Sequence, residues 1–338
     1  MLKKLFIAIV LMAVVAAGGV FYAKQQVEVY VNQPVSIDEP TLITVKSGTS
    51  FHGLLNQFEQ ENWIKPTDFR RIVARLHPEL VKVKAGTFMM PEGKTLAQML
   101  HLLAEGKEHQ FAITFVEGSR FSEWREQLAQ TEHIEHATAD MSEEEIAKAL
   151  GSKHSKLEGL FLAETYHYTA GTSDLDIYQR AFDKLAQTLE NAWDERQKDL
   201  PLKNSYEALI LASIIEKETA IDEERERVSS VFVNRLNRGM RLQTDPTVIY
   251  GMGDAYDGNI RKKDLRTPTP YNTYTIKGLP PTPIAMAGPA SIIASVNPEK
   301  SNYLYFVASG HGGHVFSKSL AEHNRAVRAY LKVLRSKK

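Results

Sequence analysis

The stretch Ala208-Leu209-Ile210-Leu211-Ala212-Ser213-Ile214-Ile215-Glu216-Lys217-Glu218-Thr219 runs uncharged as far as Ile215 and then ends on two carboxylates. Eight residues of this composition, following Pro201 and a start near Ser205, predict a helix buried on every side. Such a helix does not end on acids without cause, because taking an ionised carboxylate out of water costs several kcal/mol unless it is paired or protonated. On a helix, residues 216 and 218 lie about 200° apart, so the two cannot form a close acid pair and only one can enter a given cleft. Glu218 continues the stripe of Leu211, Ile214 and Ile215; Glu216 continues Leu209, Ala212 and Ser213. The bulkier stripe should desolvate Glu218 more and lift its pKa towards that of a neutral-pH general acid. Glu216 stays in view, and a buried structural pair with a base such as Arg235 is the plain alternative for either residue.

Around this helix the 338-residue chain is 43% hydrophobic, enough for a core and for more than one domain. Lys plus Arg and Asp plus Glu number 41 each, so no basic excess points to nucleic acid. With no cysteine, disulfides, thiolate metal sites and cysteine nucleophiles are excluded. After a four-residue tail (1–4) carrying Lys3 and Lys4, Leu5 to Ala23 is uncharged. At ~1.5 Å per residue it spans roughly 28 Å, the thickness of a bilayer core. The basic start predicts that the tail stays in the cytoplasm and the body is exported. Ala16-Ala17-Gly18 offers a signal-peptide cleavage site, but the apolar run continues through Tyr22, which favours a retained anchor.

Residues 24–40 read as a polar tether. Beyond it, Thr41 to Lys46 alternates as a strand, Ser47-Gly48 as a turn, and Phe51, Leu54, Leu55 and Phe58 mark one helix face. The pattern returns from Thr114, with Gly118 in the place of Gly48, Phe121 in that of Phe51 and Arg125 in that of Leu55. Between the copies, Leu96, Met99, Leu100 and Leu103 mark another helix. Two copies suit a compact α+β module over 41–135 better than a solenoid. This strand-turn-helix resembles the LysM type of glycan-binding module; a structural spacer is the alternative, and Trp63 and Trp124 serve either as sugar platforms or as packing. From 136 onward, Ser142 and Glu145 form a capping box, helices are expected over Asp174 to Trp193, Glu223 to Arg238 and Ser319 to Ser336, and the Pro-, Gly- and Tyr-rich segments between them read as loops and short strands.

The segments "ASIIEKET", "VFVNRLNRGMRLQTDPTVIYG", "TPYNTYTIKGLPPTPIA" and "YLYFVASGHGGHVFSKSLAEHN" together resemble the YceG-like family of membrane-anchored endolytic murein transglycosylases. The likeness runs over nearly the whole chain. It implies an α+β protein with one transmembrane helix, a LysM-like module and a mixed α/β catalytic domain (136–338) built on a buried catalytic helix and polar loops. It also implies lytic transglycosylation of peptidoglycan strands in the periplasm, next to the inner membrane and its synthases, ending strand elongation without a cofactor or metal. The family's acid is the second glutamate of Glu-Lys-Glu, here Glu218. Where the family commonly reads Phe-x-Pro-Asp-Thr-Tyr, this chain has Phe161-Leu162-Ala163-Glu164-Thr165-Tyr166, which leaves Glu164 without an assigned role.

A glycosidase normally needs two carboxylates, whereas a transglycosylase can use one: the acid protonates the glycosidic oxygen, then as carboxylate takes the proton of the muramoyl 6-hydroxyl as the 1,6-anhydro ring closes. Polar groups should surround the charged transition state. Gln243, Thr244, Asp245 and Tyr250 in one loop, and Tyr271, Asn272 and Tyr274 in another, are the candidates, with Asn272 and Tyr274 on N-acetyl or hydroxyl groups and Tyr271 as a stacking wall. Asp245 before Pro246 serves equally as a turn residue. Three other classes compete: a zinc peptidase or amidase on His311, His314 and His323, whose spacing matches no strong signature; a non-catalytic membrane-bound glycan scaffold; and a water-using muramidase with Asp245 as second carboxylate.

Overall fold

The computed structural model describes residues 1–336, which form two compact units, one of residues 1–111 with 168–170 and one of 112–167 with 171 onward. In the first unit α1 (Leu2–Val31), β1 (Thr41–Val45), α2 (Phe51–Gln60), α3 (Arg70–Leu76), β2 (Gly86–Met90) and α4 (Leu96–Glu105) follow one another. The start of α1 is long and apolar enough to cross a membrane and is exposed throughout its apolar window. Residues 24–40 are not a loose tether. The helix runs unbroken to Val31, and Val27, Tyr30, Val31, Val35 and Ile37 are buried in the unit's core. In the sequence these apolar positions are scattered among polar residues and form no continuous run, which is why the segment reads as a tether.

β1 and β2 pair antiparallel, Thr41 opposite Met90 and Val45 opposite Gly86. Ser50 caps α2 by accepting from Gly53 N–H, and Thr95 with Gln98 closes a capping box on α4. The stripes read from the sequence, Phe51, Leu54, Leu55 and Phe58 on α2 and Leu96, Met99, Leu100 and Leu103 on α4, are all buried. Trp63 packs 5.4 Å from Phe58.

The second unit contains β3 (Phe111–Thr114, from Ala112), α5 (Phe121–Ala129), β4 (Ile134–Glu135), α6 (Glu143–Ala149), β5 (Thr165–Tyr168, to His167), β6 (Thr172–Ser173), α7 (Asp174–Asp194), α8 (Ser205–Glu218), α9 (Asp222–Asn237), α10 (Asp245–Met252), α11 (Pro289–Val296), β7 (Tyr305–Ala308), β8 (His314–Ser317) and α12 (Leu320–Ser336). Its sheets are two-stranded: β3 with β5, β4 with β6, and the antiparallel hairpin β7–β8. The second copy of the strand-turn-helix pattern, from Thr114, therefore belongs here, because Trp124 on α5 is 1% exposed and stacks on Phe115 and Phe161. It is a packing residue, closed to sugar.

α8 is the axis of this unit. Asn204 caps it by accepting from Glu207 N–H, and every residue from Ala208 to Ile215 is buried, wrapped by α7, α9, α10 and α11. Each fully buried Leu or Ile contributes about 1.5–3 kcal/mol, so the helix cannot turn or slide without losing several such terms. One internal hydroxyl is tied down: Ser213 donates to Ile210 O and accepts from Ile284 N–H at 3.0 Å, stitching the segment 283–288 to the helix. That segment also passes close to Gly159, at φ +76°, where a Cβ would collide with Pro283. Two helices differ from the sequence reading: "TDPTVIYG", which reads as loop and short strand, forms α10, and "PASIIASV", to which the sequence reading assigns no element, forms α11.

Gly159→Ala is expected to destabilise the protein by about 2–4 kcal/mol, since both the left-handed backbone and the contact with Pro283 oppose a side chain. A urea unfolding midpoint equal to that of the unmodified chain would show that the segment can move aside.

Candidate active site

The two acids of α8 meet different surroundings. The Glu216 side chain, 7% exposed, accepts from Gly288 N–H at 3.0 Å and lies 3.9 Å from Arg225 Nη2. It is a structural acid. Arg225, not Arg235, faces it, because Arg225 lies on the part of α9 facing the start of α11, where it also donates to Ser291 at 3.2 Å. Glu117 shares this region, and its carboxyl is raised by burial and by the charge of Glu216.

Glu218, the last residue of α8, is partly exposed and opens into a cavity of about 390 Å³. Its Oε1 accepts a hydrogen bond from the Thr244 hydroxyl. Burial lifts its pKa to about 7, the Thr244 bond opposes the shift, and the charge of Asp245 adds to it. The negative end of the α8 dipole acts in the same sense. Two further buried threonines, Thr247 and Thr273, fix the donor. Thr244 N–H donates to Thr273 Oγ1 at 3.1 Å, Thr247 Oγ1 donates to Thr244 O at 2.8 Å, and the Thr247 and Thr273 hydroxyls are 2.8 Å apart. Just before them Gln243 is held at φ 50°, a left-handed backbone that costs a side-chain-bearing residue about 1–2 kcal/mol.

Of the residues expected here from sequence, Gln243, Thr244, Asp245 and Tyr274 line the cavity beside Glu218. Tyr274 donates its hydroxyl to Asp245 Oδ1 at 2.6 Å, and burial raises its pKa further from the physiological range. Asn272, Tyr250 and Tyr271 are not part of the lining. Asn272 is 1% exposed and spends itself on the backbone: Nδ2 donates to Asp264 O and Thr267 O, and Oδ1 accepts from Tyr274 N–H. It shapes the loop and has no group left for a ligand. Tyr250 points to the other side of α10, bonds to Glu158 and meets Tyr271 edge-on at 4.8 Å, while the Tyr271 hydroxyl pairs with Thr282. Glu158, buried and raised to about 7 by desolvation, also accepts from Phe121 N–H. Glu164 pairs with Lys184.

Five polar or aromatic lining residues are not marked as site residues by the sequence: Phe232 and Arg235 from α9, Tyr305 and Phe306 from β7, and His323 from α12. In the sequence Arg235 reads only as an ionic partner for a helix-ending glutamate, and His323 only as a zinc ligand. Nothing local marks Tyr305 or Phe306, which reach the site through the hairpin more than 80 residues beyond Glu218. His311, His314 and His323 do not converge. His314 Nδ1 is 2.7 Å from Glu224 Oε2, His323 stacks on Tyr305, and among the described residues no three His, Asp or Glu side chains are grouped to hold a metal ion.

The folded protein holds the Glu218 proton more tightly than the unfolded chain, so stability falls as pH rises from the ordinary value of 4.5 through about 7. Above that, the ionised group costs on the order of 1–3 kcal/mol, allowing for its partial exposure. Glu218→Gln should therefore be more stable than the unmodified protein at about pH 8, with the difference vanishing towards pH 4. Urea midpoints at the two pH values check this, and a difference independent of pH would contradict it.

The sequence profile of the YceG-like family matches residues 43–329. The chain is 31% identical over 337 residues to a Bacillus subtilis (strain 168) protein named endolytic murein transglycosylase, covering 93% of this chain and 91% of that protein. It is 26% identical to a protein of the same name from Streptococcus pneumoniae (strain D39), covering 94% of this chain and 63% of that one. A crystal structure of a YceG-like protein from Listeria monocytogenes superimposes with a TM-score of 0.56 at 29% identity, covering 86% of this chain and 99% of that one.

Proposed function

The chain belongs to the YceG-like family, and we propose that it is a lytic transglycosylase that cuts peptidoglycan strands between N-acetylmuramic acid and N-acetylglucosamine, with Glu218 as its acid and base. The observation that carries this reading is one carboxyl of pKa about 7 at the mouth of a polar cavity, bonded to a fixed threonine hydroxyl. Near neutral pH such a group is present in both protonation states, which is what a residue that first gives and then takes a proton requires.

Protonated Glu218 donates to the glycosidic oxygen, and the C1–O bond breaks as positive charge builds on the muramoyl ring. The resulting carboxylate takes the proton of the 6-hydroxyl while that oxygen closes on C1. The products are a strand ending in 1,6-anhydromuramic acid and one with a free 4-hydroxyl, with no water consumed. Thr244 steadies the carboxylate that appears at mid-reaction. Asp245, held by Tyr274, contributes negative charge that favours the oxocarbenium-like state and keeps Glu218 protonated at the outset. Gln243 and Tyr274 offer further polar atoms to sugar hydroxyls.

Asp245 lines the same cavity as Glu218, which also supports a muramidase that activates water with the second carboxylate. The products separate the two. Anhydro-capped, non-reducing ends support transglycosylation, whereas free reducing ends support hydrolysis. The apolar start of α1 suits an inner-membrane anchor with the body in the periplasm, beside the synthases whose nascent strands it would terminate; the LysM-like first unit would add glycan contacts.

Glu218→Gln is expected to lower cleavage by at least about 10³-fold with folding intact. For the unmodified enzyme, kcat/KM should fall on the alkaline side of about pH 7, as the acid is lost. Mass analysis of digested murein reads both, and cleavage retained in Glu218→Gln would remove this residue from the mechanism.

A further inference from the structure

Arg235 is 7% exposed, yet among the described residues no carboxylate lies within 4.0 Å of its guanidinium. A buried cation without an ionic partner is costly unless its N–H groups are met by oxygens. Most of them are. Nε donates to Leu304 O at 2.6 Å, and Nη1 to Leu242 O at 2.8 Å and Arg241 O at 3.2 Å, with Gln243 Oε1 at 3.4 Å. The guanidinium carbon sits 5.0 Å from the Tyr305 ring centre. These contacts fix the plane of the group. Nη2 makes no hydrogen bond among the described residues and is not a sealed buried atom, so its two N–H groups remain for the cavity that Arg235 lines with Glu218.

The cavity that Arg235 lines is also walled by the apolar side chains of Phe232, Leu242, Phe306 and Leu320. A fixed N–H donor in a cavity that also has an apolar wall suits an amide carbonyl carrying a methyl or methine neighbour. A hydroxyl alone would leave the wall unused, and an alkyl group alone would leave the donor unmet. We propose that Arg235 is the specificity-determining residue of this cavity, and that Nη2 receives the carbonyl oxygen of an acyl substituent on the sugar, either the 2-acetamido group or the 3-lactyl group. The inference rests on reading the cavity as the glycan-cleaving site. It explains why a guanidinium is kept here with part of its donor set unspent. A lysine, with a single point of charge, could not hold three backbone carbonyls and still present a donor in a fixed direction.

The test compares the unmodified protein with Arg235→Lys on three murein preparations: N-acetylated strands with peptide stems, the same strands N-deacetylated, and strands whose stems have been removed to leave lactyl carboxylates. Lysine keeps the charge, so repulsion of the exposed amine after deacetylation is common to both proteins. If Nη2 reads the acetamido oxygen, deacetylation raises KM of the unmodified enzyme about tenfold, and Arg235→Lys loses most of that discrimination. If it reads the lactyl oxygen, the discrimination that Arg235→Lys loses is between stem-bearing and stem-free strands. A variant that is folded by thermal melt and keeps both discriminations overturns the proposal.

Should Arg235→Lys not fold, a crystal structure of Glu218→Gln with an N-acetylated murein tetrasaccharide decides. An amide oxygen within about 3.2 Å of Nη2 supports the assignment, and a bound strand that leaves Nη2 facing water overturns it. Cleavage surviving in Glu218→Gln would instead sink the reading beneath it, so the two failures are distinguishable.

Discussion

One hydrogen bond, from the Thr244 hydroxyl to Glu218, decides what the rest of the second unit must accomplish. A carboxyl at the end of a helix sheathed in leucine and isoleucine is pulled two ways: dry surroundings and the helix dipole favour its neutral form, and the threonine favours its anion. The balance near neutrality holds only while donor and acceptor keep their places. Both partners are anchored accordingly. The acid rides on a helix that the surrounding elements prevent from sliding, and the donor is pinned by Thr247 and Thr273, two hydroxyls with no exposure of their own. The left-handed Gln243 is where the chain bends sharply enough to bring that threonine over the helix end.

The elements whose periodicity is strong were legible. α2, α4, α7, α8 and α9 stand within a residue or two of where apolar spacing and caps put them, because each buries apolar residues at helical spacing, and α12 stands as close although none of its residues is fully buried. β7 and β8 fall among the expected short strands, but their pairing as a hairpin was not read from the sequence. What the sequence concealed has physical causes. α10 is short and begins on Thr244-Asp245-Pro246, a helix start that is equally a turn signal; only the burial of Thr247 and Val248 decides between them. α11 is nearly all apolar and carries no periodic contrast. At the site, contiguity in sequence was a fair guide for Gln243 to Asp245. It failed for Asn272, an amide that reads as a ligand-binding group and is consumed by three backbone partners. Arg235 shows the converse: its role depends on which carbonyls the fold brings to it, and those belong to segments far apart in the chain.

The two glutamates of "EKE" illustrate how a helix separates tasks. Glu216 turns inward to Gly288 and Arg225 and ties α8 to the start of α11, while Glu218 faces the cavity from the opposite side. Exchanging their environments would require rotating α8 by more than half a turn, with loss of most of its buried contacts. Composition alone cannot distinguish them; the half-turn between positions 216 and 218 does.

The continuity of α1 bears on working distance. Val27 is already a core residue of the first unit, and only about 6 Å of helix separates it from Ala23, the last residue of the bilayer-length run. A stiff rod of that length permits neither swivel nor reach. With the run embedded in a bilayer, the first folded layer would ride at a set height just above the lipid headgroups.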